Sequence, residues 1–404
     1  MDKLFTQRVS SRIAGLAEAQ TLGMAQRVRD LRAQGKQVIS LLLGEPDFPV
    51  PEAIQEAAIQ AIREGVAPYP PVPGLPPLRE AIANYYTRRN GTPVSPHQVV
   101  VSNGSKQAIY NALLTILEPG DEVIIPVPYW VSYLPLVHLA QGRPVLAPTR
   151  PENQYKLTPD QLARSISPRT RALILNSPSN PTGTTYSRQD YAALVEVLRE
   201  HPHIWIIADE IYDLLVYEGK AVSFLEFSEL RERTIVCNGF SKAFAMPGWR
   251  LGYLIAPPDI AEAAIKVQGQ TTAGANLIAQ KAAIAGLTSD IEALIAPMRK
   301  AFQERRDAIY HYLVTHHPEL HPYKPQGAFY FFLSVEAYLG RKTALHPPFQ
   351  TADDVVDYLL AHGLALVPGT GFGMPTHIRL SYAVALREIE AGLSRLTRAL
   401  HALA

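Results

Sequence analysis

At 404 residues the chain is longer than one simple core requires and suits two domains in one compact body. Hydrophobic residues make up 47% and charged residues 19%, an ordinary globular composition, and a formal net charge of +1 without a Lys/Arg run excludes a nucleic-acid binder that works by bulk electrostatics. Cys237 is the only cysteine, no run approaches the ~20 apolar residues of a membrane span, and residues 1–15 lack the apolar stretch of a secretory leader. The expectation is a soluble cytoplasmic protein with neither a nucleic-acid nor a membrane partner.

The 34 prolines stand beside apolar runs and mark element boundaries. A helix is expected around residues 24–34, ahead of the loop Leu43-Gly44-Glu45-Pro46-Asp47. A strand follows at 97–101, then a helix at 107–117 entered through Asn103-Gly104-Ser105, a strand at 122–125 and a helix at 130–140. Strands at 171–175, 204–208 and 234–237, with a helix at 190–199, continue the alternation. Strands with almost no polar residue suit burial on both faces, which implies an α/β fold with a mainly parallel sheet. Beyond about residue 290 a long charged helix (291–314), segments at 328–333, 352–361 and 378–382, and a last helix to about His401 predict a smaller α+β domain. The expected division is 46–290 for a large domain and 1–45 with 291–404 for a small one; no internal repeat or low-complexity linker interrupts it.

Polar clusters stand just beyond the apolar strands, where open α/β sheets bind ligands: Ser102-Asn103-Gly104-Ser105, residues 176–183, Asp209-Glu210-Ile211-Tyr212, and Asn238-Gly239-Phe240-Ser241-Lys242. By themselves they define a ligand site with an anion-binding helix start. Gly369-Thr370-Gly371-Phe372-Gly373 lacks the spacing of a dinucleotide turn. His311, His316, His317 and His321 lack a metal-ligand pattern, so no metal is expected.

Asn176-Ser177-Pro178-Ser179-Asn180-Pro181-Thr182-Gly183, Asp209-Glu210-Ile211-Tyr212, and Ser241-Lys242 running to Pro247-Gly248-Trp249-Arg250-Leu251-Gly252 resemble the class I aminotransferases in order and spacing, over residues 21–383. The resemblance implies a pyridoxal 5'-phosphate enzyme of the aspartate aminotransferase-like fold (fold type I), acting on amino acids and 2-oxo acids with ping-pong kinetics. It assigns Lys242 to a Schiff base with the cofactor and to proton transfer, and Asp209 to the pyridine nitrogen, where a carboxylate keeps the ring an electron sink. Tyr212 and Asn180 would hydrogen-bond the phenolic oxygen, and Trp130 would stack on the ring. Gly104, Ser105 and Arg250 would hold the phosphate, the first two by free N–H groups at a helix start, the last by a charged fork. Tyr69 matches a tyrosine that reaches the phosphate of a neighbouring subunit, which implies a homodimer. Arg379 would take the substrate α-carboxylate, with a backbone N–H of Gly44.

Tyr129-Trp130-Val131-Ser132-Tyr133 and Ser105-Lys106-Gln107-Ala108 are similar to the bacterial branch with aspartate and aspartate/prephenate enzymes. There Lys106 and Thr21 match residues implicated in binding the distal carboxylate; a charged hydrogen bond from Lys106 is worth roughly 1.5–3 kcal/mol. Ala19 replaces a serine often found there, and Gly239 another, for which Ser241 would partly compensate. Aspartate with 2-oxoglutarate is the expected substrate pair. Prephenate or broad specificity, a pyridoxal-phosphate β-lyase, and a sensor built on an aminotransferase-like body are the alternatives weighed.

Overall fold

A computed structural model describes residues 9–16, 20–65, 67–343 and 347–403; Ala19 lies outside them. In chain order its strands are β1 (Ile39–Ser40), β2 (Val99–Ser102), β3 (Glu122–Val127), β4 (Arg143–Pro148), β5 (Thr170–Asn176), β6 (Trp205–Asp209), β7 (Thr234–Gly239), β8 (Gly252–Ile255), β9 (Tyr330–Ser334), β10 (Leu364–Ala365), β11 (Val367–Pro368) and β12 (His377–Ser381).

Strands β2 to β8 form a seven-stranded sheet in the order β2-β8-β7-β6-β5-β3-β4. β4, β3, β5, β6 and β7 run parallel, and only β8 runs against its neighbours. The parallel centre follows from burial: every residue of β7, and Ile206 to Asp209 of β6, is enclosed, as strands covered by helices on both faces require. Register carries this order to the strand ends. Asn176 lies opposite Asp209, Asp209 opposite Cys237, and Gly239 opposite Gly252, so the polar residues that follow the apolar runs meet along one edge.

A second, antiparallel sheet β11-β12-β9 and the parallel pair β1·β10 draw on both ends of the chain. The helix Ile291–His316 leads into them, and Leu386–His401 closes the chain with one face of buried Ile389, Leu393, Leu396 and Leu400. Arg305 of the long helix grips Asp47 by two bonds of 2.7 and 2.9 Å, tying the loop after β1 to this part of the molecule.

Several expected elements differ in extent. The strand expected at 97–101 begins at Val99, because Pro96–Gln98 is a 3-10 turn that Ser95 and Gln98 cap reciprocally. The helix expected from Trp130 begins at Tyr133, whose N–H bonds back to Trp130 O at 2.9 Å, leaving Trp130 on the preceding turn. β4 and β8, and the helices Glu52–Arg63, Pro76–Asn90, Pro258–Thr271 and Leu277–Thr288, add to the elements expected. Among the described residues no helix is long and apolar enough to cross a membrane.

Candidate active site

The aligned strand ends, the 42–45 loop, the start of the helix Gln20–Ala33 and β12 enclose a cavity of about 570 Å³. Of the residues singled out above, Thr21, Gly44, Ser105, Lys106, Trp130, Asn180, Asp209, Tyr212, Lys242, Arg250 and Arg379 line it. Gly104 stands one residue behind, and Tyr69 is 94% exposed and apart from it.

Asp209 ends β6 and is enclosed. Its Oδ2 accepts from the Tyr133 hydroxyl at 2.7 Å and its Oδ1 from the Ile211 N–H at 3.2 Å. Burial pushes the carboxyl up to about 6 against those two bonds and the Lys242 charge, which all favour the ionised form. Lys242, beyond the end of β7, donates to Gly44 O at 2.5 Å. Burial brings its amine down to about 8; Glu45 and Asp209 pull it up, while Arg379 and Arg250 push it down. Gly44 meets Lys242 through its carbonyl, which leaves its N–H, expected for the substrate carboxylate, outside this bond. Any side chain at Gly44 would overlap the Tyr330 hydroxyl.

Arg379, on β12, is buried among polar groups that are all neutral. Nη1 donates to Asn180 Oδ1 at 2.9 Å and Nη2 to Leu42 O at 2.8 Å, the Tyr330 and Phe372 rings lie 4.5 and 5.0 Å from its carbon, and Nε has no partner. A buried guanidinium with neither counter-charge nor full hydrogen bonding is costly to keep and suits an incoming carboxylate. Asn180 is itself held by Asn176, whose Oδ1 accepts from Asn180 N at 2.8 Å while its Nδ2 donates to Asp209 O at 2.9 Å.

At the other end the helix Ser105–Ile116 begins on Gly104, whose φ of 88° is a conformation that favours glycine. A Cβ there would strike the Arg250 guanidinium, and one at Gly252 would overlap Ser105 N, so the two glycines let Arg250 and the helix start approach each other. The Ser105 hydroxyl oxygen is buried without a partner. Arg250 donates to Pro247 O at 3.0 Å and Asn103 O at 3.3 Å. The Gly104 N–H, expected to be free, is spent on Ser102 O at 2.8 Å, because the chain turns back there between β2 and the helix. The N–H groups of the helix start from Ser105, the orphan hydroxyl and the guanidinium form an anion cradle. Trp130 also lines the cavity, with Lys106 Nζ 5.1 Å from its ring and the Tyr133 ring set edge-on at 5.4 Å.

Tyr330 is the cavity residue that sequence reasoning missed: it bonds Tyr212 hydroxyl to hydroxyl at 2.8 Å and lies beneath Arg379. In an apolar run it reads as core, and only the spacing to Arg379 across β9 and β12 reveals it. Tyr133 and Asn176 stood inside quoted motifs, but without the supporting roles described here. Among the described residues no group of three His, Cys, Asp or Glu is placed to hold a metal.

An α/β body that gathers in one cavity a buried lysine and carboxylate, an anion cradle and a carboxylate-seeking arginine is the architecture of a cofactor-dependent group-transfer enzyme. Residues 36–396 match the family described as Aminotransferase class I and II, and the chain belongs to it. It is a pyridoxal-phosphate-dependent aminotransferase that acts on amino acids and 2-oxo acids. It is 43% identical over 398 residues to an aspartate aminotransferase from Geobacillus stearothermophilus, covering 98% of this chain and 99% of the other. An aspartate/prephenate aminotransferase from Cereibacter sphaeroides is 41% identical over 391 residues (96% and 97% covered). Among solved structures, the aspartate aminotransferase of Rhizobium meliloti superposes with a TM-score of 0.94 at 38% identity (98% and 100% covered). That of Thermus thermophilus with maleate gives 0.91 at 37% (97% and 100%).

Proposed function

We propose that the chain moves the amino group of aspartate to a 2-oxo acid, with 2-oxoglutarate as acceptor, and that pyridoxal 5'-phosphate is held by the residues of this cavity. Arg379 carries the reading: a buried cation without an acidic partner, its Nε unsatisfied, facing the same cavity as Lys242 and Asp209. The orphan Ser105 hydroxyl and the glycine-spaced cradle fit a phosphate, and the buried Asp209 fits a pyridinium. When bound, the cofactor supplies an aldehyde carbon that accepts the amine and a ring that takes up the electron pair of the broken Cα–H bond.

The chain's own residues supply the rest. Lys242, brought down to about 8, offers a nucleophilic amine near neutral pH, and its freed Nζ would move the proton from the substrate Cα to the carbon that was the cofactor's aldehyde. Asp209 holds the pyridine proton, Tyr212 and Asn180 donate toward the phenolic oxygen, and Trp130 covers one face of the ring. Ser105, through its N–H and hydroxyl, and Arg250 hold the phosphate, while Gly104 serves by its conformation. Arg379 takes the α-carboxylate, and Lys106 and Thr21 the distal one. The β9–β12 body, with both chain ends, closes over the substrate and excludes water.

Tyr69, at 94% exposure, with Ile59 and Ile62 exposed on the helix Glu52–Arg63, favours a homodimer in which Tyr69 of one subunit serves the phosphate of the other. A second reading, a bulkier dicarboxylate of the prephenate type, is favoured by Leu22 and Leu43, which line the cavity and stay 63% and 46% exposed. The test is the absorption spectrum of the cofactor-loaded protein on adding L-aspartate, L-alanine, L-phenylalanine or L-cysteine. Bleaching of the yellow band by aspartate, with oxaloacetate released, is expected. Bleaching by the others alone discards aspartate; pyruvate and ammonia from cysteine make the enzyme a lyase.

A further inference from the structure

Asp209 and Tyr212 line the cavity, whereas Glu210 and Asp213, on the same turn, sit in a buried polar cluster outside it. Glu210 Oε1 accepts from Ser223 Oγ at 2.8 Å and Phe224 N at 3.0 Å, while its Oε2 is buried without a partner. Asp213 pairs with Arg89 of the helix Pro76–Asn90. The same guanidinium donates to Tyr85 OH at 3.3 Å and, through Nη2, to Ala221 O at 3.1 Å. One arginine thus joins a helix, the turn after β6 and the 221–224 segment.

The charge count is uneven. Two carboxylates share one cation, and the other titratable groups that face them are Tyr85 and Tyr86 on the Arg89 helix, Tyr191 on the helix Arg188–Arg199, Cys237 on β7 and Tyr253 on β8. Burial raises all of these, so they stay neutral near pH 7 and lend no positive charge. A proton on Glu210 balances the cluster. Burial and then Asp213 favour it against Arg89, bringing that carboxyl up to about 7.

We propose that Arg89, Asp213 and a protonated Glu210 form a positioning unit that clamps the 209–215 turn from behind and holds Asp209 and Tyr212 against the cofactor. The unit rests on the pyridoxal-phosphate reading above. Ionising Glu210 adds one uncompensated negative charge to the cluster, one residue from Asp209, so the turn loosens and the cofactor is held less tightly as pH rises through neutrality.

The experiment is the pyridoxal 5'-phosphate dissociation constant of the full chain at pH about 6.5 and 8.5, for the wild type, Arg89→Met, Arg89→Lys and Glu210→Gln, with thermal melts of each apo-protein. Arg89→Met should weaken binding about tenfold or more at both pH values, and Arg89→Lys should recover part of it. Glu210→Gln copies the protonated state, so it should bind like the wild type at the lower pH and weaken less at the higher. An effect on melting alone, with dissociation constants unchanged in Arg89→Met, overturns the proposal. So does a Glu210→Gln variant that keeps the full wild-type pH dependence, and this near-isosteric change decides the matter if Arg89→Met does not fold. A wild type that takes up no cofactor sinks the parent reading instead.

Discussion

Tyr133 donates its hydroxyl to Asp209 Oδ2 across 2.7 Å, joining the start of the Tyr133–Leu139 helix to the end of β6 inside the core. The bond stabilises the ionised carboxylate that burial opposes, so it keeps Asp209 available as an anion at neutral pH. The tyrosine hydroxyl is held in turn, since burial and the Asp209 charge push its own ionisation well above the ordinary range.

Tyr133→Phe tests this relationship in the apo-protein. Asp209 moves from 3.8 to about 6 on folding, so between those values the folded chain holds a proton that the unfolded chain releases. The contribution to stability is therefore full below that window and falls as pH rises through it, by about 3 kcal/mol for a shift of this order. Removing the hydroxyl leaves an ionised oxygen unpaired above pH about 6, but in the folded chain a neutral acid below it. The loss in urea-unfolding stability should be larger at pH 7.5 than at pH 4.5 by roughly 1–3 kcal/mol. An equal loss at both would show that the bond does not act on the charge of Asp209.

The amine of Lys242 should titrate near 8 in the apo-protein, where an ordinary lysine titrates at 10.5. The rate of aldehyde cofactor uptake, followed by absorbance, should rise with pH and level off above that midpoint. Glu45 is the largest charge pulling the amine up, so Glu45→Gln should move the midpoint lower. Lys242→Ala should abolish turnover with the fold intact. A midpoint that rises or stays fixed in Glu45→Gln removes Glu45 from the electrostatics of the lysine.

The strand ends were legible because enclosed strands read as apolar runs, and Asp209 and Lys242 are polar residues just where those runs stop. β4 was not: it is an edge strand bounded by Arg143 and Pro148 with Leu146 44% exposed, and neither alternation nor continuous apolarity marks it. β8 has only four residues, directly after the Arg250 motif. Pro96–Gln98 could have been read as a turn from the Ser95 and Gln98 capping pair. Tyr330 and Arg89 were illegible for a different reason: their partners lie 118 and 124 residues away, and only folding sets them together.

Lys106→Ala separates the two carboxylates of the substrate. With Lys106 at the rim beside Trp130, its loss should lower kcat/KM for aspartate by roughly tenfold to a hundredfold, the value of one charged hydrogen bond. The value for alanine, which has no distal carboxylate, should hold. Equal losses for both amino acids would exclude Lys106 from distal recognition.

Gly252 and Gly23 make a matched pair. A methyl at Gly252 would overlap Ser105 N and Gly104 C, backbone atoms that cannot swing aside. Gly252→Ala should cost about 1–3 kcal/mol of stability and weaken cofactor binding. Gly23 lies inside the helix Gln20–Ala33 with nothing within 4 Å, so Gly23→Ala should stabilise by about 0.5–1 kcal/mol. Thermal melts and cofactor titrations of the two variants check both signs.

Arg379→Met divides function from stability. In the apo-protein the guanidinium is buried, burial lowers its proton affinity, and its Nε is unsatisfied, so a thioether of similar length removes a desolvated charge. Against that gain, Asn180 Oδ1 and Leu42 O each lose a donor, at about 1–3 kcal/mol apiece where no water replaces it. The two effects oppose each other, and the melting temperature should move little. Binding has no such compensation, because the substrate carboxylate would enter a site that, among the described residues, has lost its buried cationic fork. Truncating one side of a buried charge pair costs about 2–5 kcal/mol, so kcat/KM for aspartate and alanine alike should fall about thirtyfold to several thousandfold. Cofactor affinity should change far less, since the Arg379 hydrogen bonds go to Asn180 and Leu42 and not to Ser105 or Arg250. A variant that melts early and also loses cofactor would mean that Arg379 is chiefly a structural tie between β12 and Asn180.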